Sequence, residues 1–279
     1  MTIHYKTLSI AGFDGSGGAG LQADLKTFSA LGCYGMTVLT ALPVQNTCGV
    51  KSCYEIPLQA IDDQLHAIFE DITPDTIKIG MLYTSDIISL VADFLAKYAQ
   101  HIPIVLDPVA VAKSGDALLK PEAIDTLKTR LIPLTFLITP NLPEAKTLLG
   151  ETALTADAMP DIAKQLLSLG SQHVLLKGGH LTDAHSNDLL LSPKKDPFWL
   201  TGPRVDSKNT HGTGCTLSSA IAAFLARGYP IEQACREAKH YVFNAILAAQ
   251  HKSVGKGNGP IHHFYQTFPT SALIYGSGE

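Results

Sequence analysis

The most constraining feature of this sequence is the alternation of short, nearly continuous apolar runs with longer stretches of helical apolar spacing. Strands that are apolar at almost every position are typical of a parallel sheet covered by helices on both faces. The pattern predicts strands at residues 7–11, 34–44, 76–79, 103–106, 136–138 and 173–176, and a hairpin-like pair at 187–191 and 198–201. It predicts helices at residues 20–31, 58–71, 85–98, 122–130, 156–169, 214–227 and 231–250. We therefore expect an α/β fold.

The composition supports a folded chain with a large core. Of the 279 residues, 46% are hydrophobic and only 16% are charged, against roughly 25% charged residues in an ordinary domain. The net charge of -4 offers no basic surface for a nucleic-acid backbone. No apolar run approaches the roughly 18 residues of a membrane span, and the first residues lack the pattern of a secretory signal.

The number and spacing of the cysteines favour a reducing compartment. There are five, an odd number, and none forms a CxxC pair. We therefore expect no disulfide framework and a cytoplasmic location. The chain also shows no internal repeat and no linker. We expect a single domain at residues 1–266, followed by a C-terminal tail at 267–279 that is prone to fraying.

A glycine-rich stretch at residues 15–20 matches the pattern GxGxxG, which follows a predicted strand and precedes a helix. This placement is typical of a dinucleotide site. However, Asp14 directly precedes the first glycine and would repel a pyrophosphate, and the next strand ends without an acidic residue for a ribose. We favour a substrate loop, with Gly18 and Gly20 serving a tight turn. Taken alone, Asp24 in the following helix is best interpreted as part of a solvated face.

The strongest local signal is residues 209–216, Asn-Thr-His-Gly-Thr-Gly-Cys-Thr, which precede a long apolar helix. Two glycines and two threonines let backbone N–H groups converge at the helix N-terminus, where the helix dipole favours an anion. The alternative is an ordinary helix start with Thr213 as N-cap. A cap does not require two glycines, so we favour an anion site. It is not a Walker A loop, because no Gly-Lys-Ser/Thr follows.

Cys215 lies in the first turn of that helix. The partial positive charge there predicts a thiol pKa lowered from about 8.5 toward neutrality, which suits a base or a nucleophile. The alternative is an inert buried thiol. Its position beside the anion site favours the reactive interpretation.

Further polar residues follow other predicted strands, and in open parallel sheets ligands bind at the carboxyl ends of the strands. Asn141 and Glu144 are spaced to hold a hydrated Mg²⁺ in one pocket or, alternatively, to form a helix capping box. Asp107 adds a second carboxylate, and Lys177 is placed to reach a phosphate. An anion site, a metal site, a lysine and a base together indicate phosphoryl transfer.

These residues resemble the ribokinase-like small-molecule kinases. The stretch from Asn209 to Cys215 is similar to their phosphate-binding signature, and cysteine at its last position is a mark of the hydroxymethylpyrimidine kinase branch and of some pyridoxal-phosphorylating relatives. Other stretches that resemble that branch are residues 10–24, 45–47, 78–81, 107–109 with 113–115, 139–141 with Glu144, and 177–180. The resemblance covers about residues 9–251.

The resemblance implies a ribokinase-like three-layer α/β/α sandwich with a mostly parallel central sheet. It implies a bifunctional hydroxymethylpyrimidine/phosphomethylpyrimidine kinase of thiamine biosynthesis that uses ATP and Mg²⁺, and a homodimer. The pyrimidine would be bound by Gly12, Asp24, Gln45, Met81 and Val109, and Cys215 would take the proton of the hydroxymethyl group. The anion hole and ATP site would use Thr210, Gly212, Thr213, Gly214, Lys177 and Lys239, and Mg²⁺ would be managed by Asp107, Asn141 and Glu144.

Two departures from the family pattern concern substrate preference. Ala110 stands where the family usually has a larger residue, and Pro43-Val44 replaces a common Thr-Ala. Both lie near the expected pyrimidine pocket. The alternative function is a pyridoxal or pyridoxine kinase of vitamin B6 salvage, whose substrate is also a hydroxymethylated aromatic ring. A non-catalytic binding protein and an NAD-dependent enzyme are the remaining alternatives.

Overall fold

The computed structural model of the protein describes residues 5–109, 119–120, 122–150, 158–179 and 185–268. Its strands are β1 (Tyr5–Ala11), β2 (Cys33–Leu39), β3 (Ala41–Asn46), β4 (Gly49–Glu55), β5 (Thr76–Ile79), β6 (Ile104–Leu106), β7 (Leu137–Ile138), β8 (His173–Lys177), β9 (Asp188–Leu191) and β10 (Phe198–Leu200). Its helices are α1 (Gly20–Ala30), α2 (Leu58–Asp71), α3 (Ser85–Tyr98), α4 (Ala123–Thr126), α5 (Leu142–Leu149), α6 (Met159–Leu167), α7 (Thr213–Ala226) and α8 (Ile231–Ala249). No helix within these ranges is long and apolar enough to cross a membrane.

Eight strands form one sheet in the order β10-β9-β8-β7-β6-β5-β1-β2. The pairs from β8 to β2 are parallel, whereas β9 joins β8 and β10 by antiparallel pairing. In the register of β1, Leu8 lies opposite Met36 on one side and Ile77 on the other. The mostly parallel sheet and the hairpin-like pair predicted from the apolar runs are therefore confirmed.

Alternate residues of the central strands enter two separate cores, as the two-residue period of a strand requires. In β6, Ile104 and Leu106 belong to the core that contains side chains of α2, α3, α5 and α6. Val105 between them belongs to the core that contains side chains of α1, α7 and α8. The predicted three-layer α/β/α arrangement is confirmed.

Helix α7 lies centrally in the second of these layers. Every residue from 216 to 224 is buried, as expected for a helix that is enclosed on all sides. Its side chains pack with those of α1, α8 and the sheet. Because this helix is so firmly enclosed, its N-terminus at Thr213 is a fixed point beside the carboxyl ends of the strands.

The single strand predicted at residues 34–44 is wrong, because the chain leaves the large sheet at Thr40. The backbone N–H of Thr40 donates to Ala11, and its hydroxyl donates to the carbonyl of Met81 at 2.6 Å. Beyond this point β3 pairs with β4 in a separate two-stranded sheet. The sequence pattern missed β4 because most of its residues are exposed, so it carries no apolar periodicity.

Several predicted helix bounds also change. The helix predicted at residues 122–130 is α-helical only to Thr126 and continues as a π-helical turn, Leu127–Leu131, and a 3-10 turn, Ile132–Leu134. For helix α5 the sequence predicts only a possible cap at Asn141, whereas the structure has a helix over Leu142–Leu149. Residues 156–157 of the helix predicted at 156–169 lie outside the described residues, as do residues 269–279 of the predicted tail, and the single-domain boundary stays a prediction.

Candidate active site

Two adjoining cavities lie where the carboxyl ends of the parallel strands meet the N-terminus of α7. The first, of about 220 Å³, is called the ring cavity below. The second, of about 750 Å³, is called the outer cavity. Side chains and backbone that line both cavities belong to Asn141, Lys177, Thr210, Thr213 and Gly214. The two cavities therefore meet at the anion loop predicted from the sequence.

The ring cavity contains most residues of the predicted substrate set. Gly12, Gln45, Met81 and Val109 all line it, together with Cys215. The Gln45 amide donates to the Phe13 carbonyl at 3.3 Å. A side chain on Gly12 would come within 3.1 Å of the Met81 sulfur, so these two residues form a narrow wall. Pro43, one of the residues that depart from the family pattern, also lines the cavity. Ala110, another of them, lies outside the described residues.

The glycine-rich loop folds around the carboxylate of Asp14, which is fully buried. Backbone N–H groups of Ser16, Gly18 and Ala19 donate to this carboxylate at 2.9, 3.1 and 2.7 Å. Burial alone would raise the pKa of Asp14, but His211 and these hydrogen bonds outweigh it and hold the pKa far below its usual range. The N–H groups that a pyrophosphate would need are thus already used. This geometry removes the dinucleotide interpretation of the GxGxxG match.

Asp24 does not lie on a solvated face, so that interpretation is wrong. It has no exposed surface. Both carboxylate oxygens contact the Lys78 ammonium, at 3.0 and 2.8 Å, and also accept hydrogen bonds from Ser9 and Ser219. With its oxygens engaged in this way, Asp24 has no free side to offer a ring in the cavity. The predicted direct contact between Asp24 and the pyrimidine is therefore not supported, and Asp24 instead holds Lys78.

Lys78 is a site residue whose role is not evident from the sequence motifs. It lines the ring cavity although its side chain is fully buried. Burial alone would lower the pKa of Lys78, but the neighbouring Asp24 carboxylate outweighs burial and the pKa is raised. A sequence signal existed, since a lysine in the otherwise apolar core of strand β5 must find a buried anion.

The anion loop has the backbone geometry that its two glycines allow. Gly212 takes a φ of 81° immediately before α7. Thr213 is the first helical residue, and its hydroxyl donates to the Thr210 carbonyl at 3.1 Å. Thr213 is therefore not the N-cap, which corrects the alternative considered above. Thr210, Gly212, Thr213 and Gly214 all line the ring cavity, and their role as an anion hole stays a prediction.

Cys215 faces the ring cavity, but the predicted lowering of its pKa is wrong. Desolvation of the partly buried thiol raises its pKa to about 11, and Asp24 and Asp107 act in the same direction while Lys78 opposes them. The thiol is therefore protonated at neutral pH.

A cluster of charged side chains connects the ends of β6 and β8 with helix α5. The Lys177 ammonium lies 2.9 Å from Asp107 and 3.8 Å from Glu144. Burial alone would lower the pKa of Lys177, but these two carboxylates raise it. Burial raises the pKa of Glu144 to about 7, Asp107 adds to that effect, and Lys177 opposes it. The cluster brings together three residues that the sequence placed on separate strand ends.

Asn141 and Glu144 form the capping box that was considered as the alternative to a metal site. The Asn141 side chain accepts from the Glu144 N–H at 2.8 Å, and the Glu144 carboxylate accepts from the Asn141 N–H at 2.8 Å. Both residues also line the ring cavity. The box fixes the Glu144 carboxylate beside Lys177, so capping and a role in the site are compatible.

Lys239 lies in the wall of the outer cavity near the anion loop, and its ammonium already has hydrogen-bond partners. The Lys239 ammonium donates to the Asp188 carboxylate and to the Ser186 carbonyl, and it lines the cavity with Lys177 and Gly179. Apolar side chains form much of the remaining wall, including those of Trp199, Leu217, Val242, Phe243 and Ile246. This combination of cations and apolar surface suits a nucleotide.

Comparison with known sequences identifies the family. A family model described as phosphomethylpyrimidine kinase matches residues 14–262. A hydroxymethylpyrimidine/phosphomethylpyrimidine kinase of Salmonella typhimurium is 51% identical over 260 residues, which cover 92% of this chain and 97% of that protein. The protein of the same name from Escherichia coli is 50% identical over 259 residues, with the same coverage of 92% and 97%.

Solved structures agree with this relationship. An ADP complex of Bacillus subtilis pyridoxal kinase superimposes with a TM-score of 0.87 at 37% identity, covering 95% of this chain and all 100% of that one. A phosphomethylpyrimidine kinase of Clostridium difficile has a TM-score of 0.75 at 44% identity, covering 86% of this chain and 99% of that one. Family model, relatives and fold coincide: the chain belongs to the phosphomethylpyrimidine kinase family, and its fold is ribokinase-like.

Proposed function

We propose that this chain transfers the γ-phosphoryl group of ATP to the hydroxymethyl oxygen of 4-amino-5-hydroxymethyl-2-methylpyrimidine, and then transfers a second one to the resulting monophosphate. These steps would supply the pyrimidine diphosphate for thiamine diphosphate biosynthesis. The observation that carries the proposal is the junction of the ring cavity and the outer cavity at the anion loop, with Lys177 lining both. An acceptor in one and a donor in the other would meet at the start of α7.

The ring cavity supports a small aromatic acceptor. Its volume of about 220 Å³ lies below the ~300–1,000 Å³ of cavities for larger ligands. Gly12, Met81 and Val109 offer an apolar surface for a ring, and the Gln45 amide can exchange hydrogen bonds with ring nitrogens or an amino group. The acceptor's hydroxymethyl group would then point toward Cys215 and the anion loop.

In the first step the acceptor oxygen bonds to the γ-phosphorus, and the bond from that phosphorus to the β–γ bridging oxygen breaks, releasing ADP. The hydroxyl proton passes to the thiolate of Cys215, which forms once the thiol has released its own proton to solvent. The anion loop and Lys177 stabilise the charge on the transferring group, which is the main demand of phosphoryl transfer. In the second step the acceptor is already an anionic phosphate, so it has little need of a base.

Mg²⁺ fits the residues at this site. Asp107 and Glu144 flank the same ammonium, and carboxylates are the protein ligands that Mg²⁺ takes in kinase sites, one or two at a time with phosphates and water. No group of three or more His, Cys, Asp or Glu side chains in the described residues could hold a metal ion by itself. The remaining ligands of Mg²⁺ would be phosphate oxygens and water. When bound, Mg²⁺ supplies neutralisation of the charge on the β- and γ-phosphates.

The test is incubation of the purified protein with ATP, Mg²⁺ and an equimolar mixture of hydroxymethylpyrimidine, pyridoxal and pyridoxine, with products identified by mass. We expect pyrimidine monophosphate first and then the diphosphate, and no product when EDTA removes the metal. If pyridoxal phosphate is the main product, the protein is a pyridoxal kinase of vitamin B6 salvage and the proposal is wrong. Formation of the monophosphate alone would remove the second step from the proposal.

A further inference from the structure

His211 joins three segments that are far apart in the sequence. Its ring Nε2 lies 2.8 Å from the Asp14 carboxylate in the glycine-rich loop. Its backbone N–H donates to the Gly259 carbonyl at 3.0 Å, in the segment that follows α8. His211 itself belongs to the anion loop. A single residue thus connects the wall of the ring cavity, the anion loop and the C-terminal part of the described chain.

The two glycine-containing loops touch each other directly at this point. A side chain on Gly212 would lie 1.8 Å from the Gly18 carbonyl oxygen, and a side chain on Gly18 would lie 2.3 Å from the His211 ring. The backbones of the two loops therefore pack directly against each other, and no side chain fits between them. The hydrogen bond from His211 to the buried Asp14 spans this contact and holds it closed.

Both loops line the ring cavity, one through Gly12, Ala19 and Gly20 and the other through Gly212, Thr213 and Gly214. The first set would contact the acceptor and the second would contact the transferring phosphoryl group. Their separation therefore sets the distance between the attacking oxygen and phosphorus. A misplacement of about 1 Å between reacting groups can cost about 10²-fold in rate.

We propose that Asp14 and His211 form a positioning pair that fixes the anion loop against the wall of the ring cavity, and that the pair acts on phosphoryl transfer more than on acceptor binding. This inference rests on the proposed function. Neither residue takes part in bond making. Asp14 orients His211 and three N–H groups of its own loop, and His211 transmits that position to Gly212 and Thr213.

The test compares His211→Gln with His211→Leu. The glutamine amide can place an N–H donor near the position of Nε2, whereas leucine keeps much of the bulk and offers no donor. We expect His211→Leu to lower kcat of the first phosphorylation by about 10- to 100-fold, with KM for the pyrimidine changing by less than about 3-fold. We expect His211→Gln to restore kcat to within about 5-fold of the wild-type protein.

Ser16→Ala is the matched control. It removes a 2.7 Å hydrogen bond from the Ser16 hydroxyl to the same carboxylate without touching His211, and we expect kcat to stay within about 2-fold of wild type. Circular dichroism and the thermal midpoint report folding for each variant. If His211→Leu does not fold, His211→Asn replaces it, because its amide is too short to reach Asp14 and it should lose kcat while glutamine retains it.

The inference is overturned if a folded His211→Leu or His211→Asn keeps the wild-type kcat, or if glutamine loses as much kcat as leucine. A rise in KM with kcat unchanged would likewise show a binding role instead. These outcomes are separate from failure of the proposed function, because kcat is measured with whichever hydroxymethylated ring the wild-type protein phosphorylates. Only a wild-type protein with no kinase activity would overturn both.

Discussion

At the scale of single residues, Cys215 shows how burial can outweigh a helix terminus. The dipole at the start of a helix contributes about 0.3–1 kcal/mol at exposed positions, less than the 1.36 kcal/mol of one pKa unit. Desolvation can shift a buried group by as much as ~3–5 units. The net result at Cys215 is a pKa raised to about 11, so the thiol must lose a proton before it can accept one from a hydroxyl group.

This balance predicts how Cys215→Ala affects the two phosphorylations. We expect the first step to fall by about 10²- to 10⁴-fold, the range for loss of a general base, and the second step to fall by less than about 10-fold, because its acceptor is already ionised. Below pH 11 the thiolate fraction rises about tenfold per pH unit, so the wild-type rate of the first step should rise from pH 7 to 9. The alanine variant should lack that slope.

The measurement is the rate of each step against pH, with pyrimidine and pyrimidine monophosphate supplied separately. Cys235→Ala is a suitable control for loss of a thiol, because Cys235 is buried in the core beside α7 and outside both cavities. Equal losses in both steps, or an unchanged pH slope in Cys215→Ala, would show that this thiol does not act as the base.

At the scale of elements, the site depends on how closely the glycine-rich loop approaches the start of α7. The approach requires glycine for two distinct reasons. Gly212 needs a φ of 81°, and it also has no room for a Cβ beside Gly18. Gly20 combines a φ of 53° with a Cβ position 2.4 Å from the Gly12 carbonyl oxygen. These contacts explain why glycine recurs here without forming a nucleotide fingerprint.

Comparing Gly212→Ala with Gly228→Ala separates the cost of the steric clash at Gly212 from the cost of its left-handed backbone conformation. Gly228 has a φ of 84° and nothing within 4 Å of its Cβ position. We expect Gly228→Ala to lower the free energy of unfolding by the cost of a left-handed residue, about 1–2 kcal/mol. Gly212→Ala should lower it by more than about 4 kcal/mol, because backbone must move. Urea denaturation measures both, and equal losses would contradict the contact with Gly18.

At the scale of the whole molecule, sheet order places the site. Strand β1 lies between β2 and β5, and the chain runs from β1 toward β2 at one edge but from β5 toward β6 in the opposite direction, so the direction of the connections reverses between β1 and β5. In open sheets of this kind ligands bind beside such a reversal. Helix α7 completes the site because its buried length, residues 216–224, holds its first turn against the carboxyl ends of the strands.

The homodimer implied by the resemblance and the cytoplasmic location inferred from the cysteines stay predictions. All five cysteines are free. For the assembly, we expect light scattering to give twice the chain mass of 29.8 kDa at micromolar concentrations. A mass that stays at 29.8 kDa over that range would contradict the dimer.

The amino-acid sequence by itself determined the parallel strands, two helices to their last residues (58–71 and 85–98), the position of the glycine-containing loop before α7 and the carboxylates at strand ends. These features depend on local periodicity and on residue types at fixed offsets, which the chain carries without its tertiary contacts. Hairpin β3–β4 and the π-helical turn after α4 were missed or misread because their residues show no clear period.

Only the tertiary structure decided what the polar residues face. Asp24 is predicted to be a solvated carboxylate, but it is buried and contacts Lys78, 54 positions away. Asp14 contacts His211, which belongs to a loop 197 positions away. The pKa of Cys215 rose because burial and the carboxylates of Asp24 and Asp107 surround it. Burial, charge pairing and desolvation all arise between segments distant in sequence, so their outcome depends on which segments the sheet and α7 bring together.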